Sequence, residues 1–191
     1  MRKKIVFIGN SIVNGFPFKR SQCFVSLVRQ DSGMDVINKG NNGETTGEIL
    51  ARFAKDALDH RPDLIFVLTG TNDFIYGEGT PPEVLEKLRQ MADLCQDFAP
   101  PVQPVFLTPL PVDAEMASRL WMAGAGVDYR QVNRRLEELA ALICESELES
   151  LDTGRLYKNC GKYHDGVHPL PEGHRFLADH ILDWLKEQGQ L

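Results

Sequence analysis

A chain of 191 residues suits one medium-sized domain with a sizeable core, so residues 1–191 are expected to form a single domain. Apolar residues make up 42% and charged residues 25%, an ordinary balance for a soluble globular protein. The net charge of −6 argues against a nucleic-acid partner, because phosphate contacts need clustered Lys and Arg. Arg2-Lys3-Lys4 and Arg134-Arg135 are tight basic groups, and neither makes a stripe.

Ile5 to Ile8 is a short, β-branched apolar run, as for a strand buried on both faces. A basic start before apolar residues imitates a signal peptide. The run ends at Gly9, however, too soon for a hydrophobic signal core, so a first strand and a cytoplasmic protein are expected. Phe24, Leu27 and Val28 follow at helical spacing, then Met34 to Ile37 as a second strand. Glu44 to Leu58 is helical, with Ile49, Leu50 and Phe53 on one side and Pro62 beyond its end. Leu64 to Leu68 is the clearest strand. Pro81 and Pro82 open a helix to about Phe98, since proline fits a first helical turn. Val102 to Leu107 is a fourth strand, Tyr129 to Ile143 an amphipathic helix, Leu148 to Leu151 a short fifth strand and Gly173 to Lys186 a last helix. No apolar run approaches the length of a membrane span. Cys23, Cys95, Cys144 and Cys160 are far apart in sequence and are expected as reduced, mostly buried thiols.

Alternating strands and helices predict an α/β fold, a mostly parallel sheet with helices on both faces. The stretches 10–19, 40–43, 69–79, 108–128 and 152–171 all follow strands and are expected to be irregular. In such a sheet ligands bind beyond the carboxyl ends of the strands, so these loops should meet on one edge. They carry Ser11, Gly43, Asn72, and Asp165 with His168. A serine hydroxyl is a weak nucleophile until an imidazole takes its proton. The imidazole works best when a carboxylate holds its tautomer. Asp165 and His168 are three residues apart across Gly166, so a turn can fold the carboxylate onto the ring. An oxyanion needs preorganised donors, which the Ser11 N–H, a close-approaching glycine and an Asn amide can supply.

The four blocks resemble those of the SGNH hydrolases, also called GDSL esterases and lipases. Gly9-Asn10-Ser11-Ile12 is similar to their first block, with the nucleophile at Ser11. Asn42-Gly43-Glu44-Thr45 and Gly70-Thr71-Asn72-Asp73 are similar to the second and third, with oxyanion-hole donors at Gly43 and Asn72. Asp165-Gly166-Val167-His168-Pro169 is similar to the last, with the orienting acid at Asp165 and the base at His168. The blocks come in the family order and span nearly the whole chain. The resemblance implies a flavodoxin-like three-layer sandwich on a five-stranded parallel sheet. It implies cofactor-free hydrolysis of a small-molecule carboxylic ester through an acyl-enzyme. A thioesterase or a carbohydrate O-deacetylase would use the same machinery. One departure stands out: the family usually has Asp before the serine, and this chain has Asn10, expected to hold the loop by side-chain hydrogen bonds.

Plainer readings compete at each position. Ser11 alone reads as a helix N-cap, Gly43 as a turn glycine, and Asn72 and Asp73 as turn or capping residues before the Pro81 helix. Cys160, His164, His168 and His174 recur at short spacings that suit zinc, but that leaves the other three blocks unexplained. Gly9 to Gly15 could cradle a phosphate in a flavodoxin-like binding module, yet it lacks a P-loop ending and a dinucleotide pattern. A non-catalytic family member would rest on Asn10 alone. His60, His174 and His180 read as surface or structural. Phe16, Phe74 and Trp121 are candidates for an apolar pocket wall, or else pack under their own loops. Gly124 and Gly126 make the segment around Trp121 a candidate lid.

Overall fold

Every strand expected from the sequence pairs into one sheet. In the computed structural model, which describes residues 2–191, β1 is Lys4–Gly9, β2 Asp35–Gly40, β3 Leu64–Leu68, β4 Gln103–Leu107 and β5 Ser150–Leu151. Among the described residues they form a five-stranded sheet in the order β2-β1-β3-β4-β5, with every neighbouring pair parallel. This is the doubly wound, flavodoxin-like order. Ile5 to Ile8 and all of β3 are buried, which explains why they read as continuous rather than alternating apolar runs.

The strand period of two divides the core between the two faces. Val6, Ile8, Ile65 and Val67 pack with α3 (Thr46–Asp56), α5 (Pro81–Gln96) and α7 (Tyr129–Glu145) through Phe53, Leu88 and Leu139. Ile5, Phe7, Leu64 and Phe66 pack on the other face with α2 (Phe24–Ser32) and α9 (Pro171–Glu187) through Phe24, Ile181 and Trp184. Phe7 and Phe66 stack across β1 and β3 at 4.8 Å, and Phe24 and Trp184 meet them edge-on. Burying each such ring contributes about 1.5–3 kcal/mol. Capping boxes start two of the helices, Thr45 with Glu48 for α3 and Thr80 with Glu83 for α5.

Four of the five stretches expected to be irregular hold short helices. Residues 10–19 open with α1 (Ser11–Asn14), 69–79 contain α4 (Thr71–Ile75), 108–128 contain α6 (Ala114–Leu120) and 152–171 contain α8 (Thr153–Tyr157). Each is too short to display an apolar stripe; α6 buries Ala117 alone and is set by its cap, Asp113, which accepts from the Met116 N–H at 2.9 Å. Two cysteines match the buried expectation, Cys23 and Cys95, while Cys160 is half-buried and Cys144 exposed. Among the described residues, no helix is long and apolar enough to cross a membrane.

The sheet order puts the topological switch between β1 and β3, whose following segments turn to opposite faces. Gly40, the last residue of β2, lets α1 lie against that strand end. A Cβ there would overlap the Val13–Asn14 backbone.

Candidate active site

β1 ends at Gly9, and the chain turns directly into α1. Asn10, buried, is the cap of that helix: its Oδ1 accepts from the Ile12 N–H at 3.2 Å. Ser11 is therefore the first helical residue and not the cap that its type alone suggested. Its Oγ is released from capping and lies 2.9 Å from His168 Nε2.

His168 is oriented by a tight local turn. Asp165 Oδ1 accepts from the Val167 and His168 N–H groups at 3.0 and 2.8 Å, and Oδ2 lies 2.8 Å from His168 Nδ1. An ionised carboxylate only accepts, so Nδ1 carries the proton and Nε2 turns its lone pair to the serine hydroxyl. Burial pushes the Asp165 pKa up. The hydrogen bonds from the His168 ring and backbone, the His168 charge and the Val167 N–H outweigh it, holding the carboxyl below its usual range. Ser11 keeps 7% of its surface exposed and His168 only 1%, so the chain of three is nearly closed to bulk water.

The second and third blocks arrive on the ends of β2 and β3, the strands on either side of β1. Gly43 has φ of +81°, a conformation that glycine adopts without strain. Asn72 sits in α4, buried, and its Nδ2 donates to the Glu44 carbonyl at 2.9 Å, which leaves one amide hydrogen unused by that bond. Asn14 Nδ2 donates to Asn42 Oδ1 at 2.8 Å and ties α1 to the Gly43 loop.

Asp73 does not serve the Pro81 helix as expected, for Thr80 and Glu83 cap that one. It is wholly buried and instead binds the first residue of α3, accepting from the Thr46 N–H at 3.0 Å and the Thr46 Oγ1 at 2.9 Å. Burial raises its pKa in spite of those bonds and of Lys87 at 4.0 Å. Asp73 thus binds the Asn72 segment to the Gly43 segment.

Phe16 and Trp121 reach the site from separate loops. Their ring centroids lie 4.9 and 4.5 Å from that of His168, both edge-on, and 6.1 Å from each other. Phe74 belongs elsewhere: it is buried in the core layer formed by α3, α5 and α7, the packed arrangement weighed as its alternative. The Trp121 segment is fastened by the Tyr129 hydroxyl, which donates to the Trp121 carbonyl at 2.6 Å. The residues of the zinc alternative do not converge. His168 faces Asp165, His164 meets the Phe18 ring, and His174 is buried on Phe24. Among the described residues no cluster of three or more His, Cys, Asp or Glu is placed to hold a metal.

Sequence reasoning missed Arg52 and Glu44. Arg52 donates to the carbonyls of Gly9, the last residue of β1, and Lys39, the last but one of β2, and to Glu44, the residue after Gly43. In sequence Arg52 reads only as a polar neighbour of an apolar helix stripe, with Asp56 one turn on, so no local signal marks it.

The sequence model of the GDSL-like lipase/acylhydrolase family matches residues 7–176. The chain is 26% identical over 189 residues to an arylesterase of Vibrio mimicus, covering 96% of this chain and 88% of that protein. It is 24% identical over 179 residues to an acetylxylan esterase of Geobacillus stearothermophilus, covering 86% and 80%. The crystal structure of a lipase/acylhydrolase from Enterococcus faecalis superimposes with a TM-score of 0.77 at 23% identity, over 97% of this chain and 96% of that one. With a match over most of its length, the chain belongs to the GDSL-like lipase/acylhydrolase family.

Proposed function

We propose that this protein is a serine hydrolase that cleaves carboxylic esters through an acyl-enzyme formed on Ser11. The observation that carries the reading is the continuous chain from Ser11 Oγ through His168 to Asp165, with contacts of 2.9 and 2.8 Å. His168 Nε2 takes the serine proton as Oγ attacks the ester carbonyl. Asp165 supports the imidazolium that forms. The oxyanion is stabilised by the Ser11 and Gly43 N–H groups and by the Asn72 amide hydrogen that Glu44 does not engage. His168 then protonates the leaving alcohol, and in the second half-reaction it activates water to release the acid. Asn10 keeps the capping bond that orders the serine turn, which supports an active site despite the missing family Asp.

Phe16 and Trp121 crowd the imidazole edge-on, which favours a short acyl group such as acetyl. Likeness to an acetylxylan esterase supports a sugar acetate as a second reading of the natural substrate. Hydrolysis of 4-nitrophenyl acetate, butyrate and octanoate by the wild type and by Ser11→Ala tests both points. The expected result is turnover that falls with chain length and drops to background in the variant. Equal rates in the two proteins would overturn the assignment of Ser11. Acetylated xylose and acyl thioesters, assayed beside them, separate the sugar, thioester and simple-ester readings.

A further inference from the structure

We propose that Arg52 is a positioning residue that sets the geometry of the oxyanion cradle from behind the sheet edge. The inference rests on the proposed serine-ester chemistry and adds to it a residue that touches neither substrate nor Ser11.

An arginine on a helix with an acid one turn away is usually an ordinary surface pair that contributes little. Arg52 differs in what else it binds. Its Nη2 donates to the Gly9 carbonyl at 3.2 Å and to the Lys39 carbonyl at 3.0 Å. Gly9 ends β1 and Lys39 is the last residue but one of β2, so both carbonyls lie within one residue of the strand ends that lead into the Ser11 and Gly43 loops. Its Nε donates to Glu44 Oε2 at 2.7 Å, and Nη1 to Asp56 Oδ2 at 3.0 Å. Glu44 passes the restraint on: its Oε1 accepts from Asn41 Nδ2 at 2.9 Å, and its carbonyl accepts from Asn72 Nδ2 at 2.9 Å. One planar guanidinium therefore fixes the spacing of the three segments that carry Ser11, Gly43 and Asn72.

The effect is geometric rather than a matter of charge, because Arg52 and Lys39 are balanced by Glu44 and Asp56 and the cluster carries no net charge to project onto the site. Lysine keeps the positive charge of Arg52 but is a point donor without the fork. Displacing oxyanion donors raises the barrier while leaving ground-state binding largely alone.

The test compares Arg52→Lys, Arg52→Met and Glu44→Gln with the wild type on 4-nitrophenyl acetate. Rates are expressed per serine titrated by a fluorophosphonate, so misfolded protein does not count. The expected result is a fall in kcat of roughly 10²-fold for both Arg52 variants, with KM within about threefold, since one displaced oxyanion donor costs that order. Glu44→Gln should fall less, and its effect should vanish in the Arg52→Met background, as expected for residues acting through one network. Inhibition by a trifluoromethyl ketone, which forms the tetrahedral adduct, should weaken in step with kcat/KM. Unchanged kcat per titrated serine, a loss confined to KM, or full activity in Arg52→Lys would overturn the inference while leaving the ester-hydrolase reading intact. A wild type without turnover dependent on Ser11 would overturn both.

Discussion

In the proposed reaction, Ser11, His168 and Asp165 illustrate how a carboxylate controls chemistry it never touches. Because Asp165 Oδ2 accepts from Nδ1, the lone pair of the imidazole is held toward Ser11 Oγ. Asp165→Asn would offer an amide N–H to Nδ1 and reverse the tautomer, so Nε2 would no longer accept the serine proton. The expected outcome is a fall in kcat of roughly 10³- to 10⁴-fold with KM little changed, measured by steady-state kinetics. The contact between Asp165 and His168 was legible in the sequence because the two lie three residues apart across a glycine, so one turn brings them together. The Ser11 environment was legible only in part. That Asn10 rather than Ser11 caps α1 depends on backbone angles that residue type does not determine. Arg52 was not legible at all, since its partners lie at positions 9, 39, 44 and 56 and converge only once β1, β2 and α3 are assembled.

At the scale of elements, the strands were readable because a parallel sheet covered on both faces demands unbroken apolar runs. α6 and α8 were not, because helices of seven and five residues have no room for a periodic stripe and are set by the Asp113 and Asp152 caps. Function depends on how such short pieces seat against the strands. α1 is held against β2 at Gly40, and Asn38 Nδ2 donates to the Val13 carbonyl at 2.7 Å from the same strand. Gly40→Ala should push the Val13–Asn14 backbone away and lower stability by about 1–3 kcal/mol, as overpacking does. Activity should fall further than stability alone accounts for, because α1 carries Ser11. Urea unfolding and ester turnover, measured on the same preparation, check both halves of this expectation.

Across the whole molecule, the face formed by α2 and α9 hides a titratable group. The His174 ring is fully buried, parallel to Phe24 at 6.0 Å, and neither ring nitrogen has a hydrogen-bond partner among the described residues. Burial, and then the charge of His168, lower its pKa from 6.5 to about 4. The folded state thus disfavours the proton that the unfolded state takes up from pH 6.5 downward. Stability should fall across that window, by about 3 kcal/mol once the pH is below the folded value. Urea midpoints at pH 7 and pH 5, compared between the wild type and His174→Leu, isolate this contribution from the carboxylates. The variant should lose less stability on acidification, and equal losses would contradict the assignment. Placing His174 on a helix was possible from sequence, but its complete burial follows from how α9 packs against α2.

Trp121 also gives the proposed reaction an optical signature. The chain has two tryptophans, and the other, Trp184, is buried against Phe66 within the core. The Trp121 indole lies edge-on to the imidazole that gains and loses the serine proton, and a protonated imidazole quenches indole emission on contact. With Trp184 replaced by Phe, each rise and fall of the His168 cation becomes a change in light from a single native side chain, so acylation and deacylation can be timed without a coloured substrate.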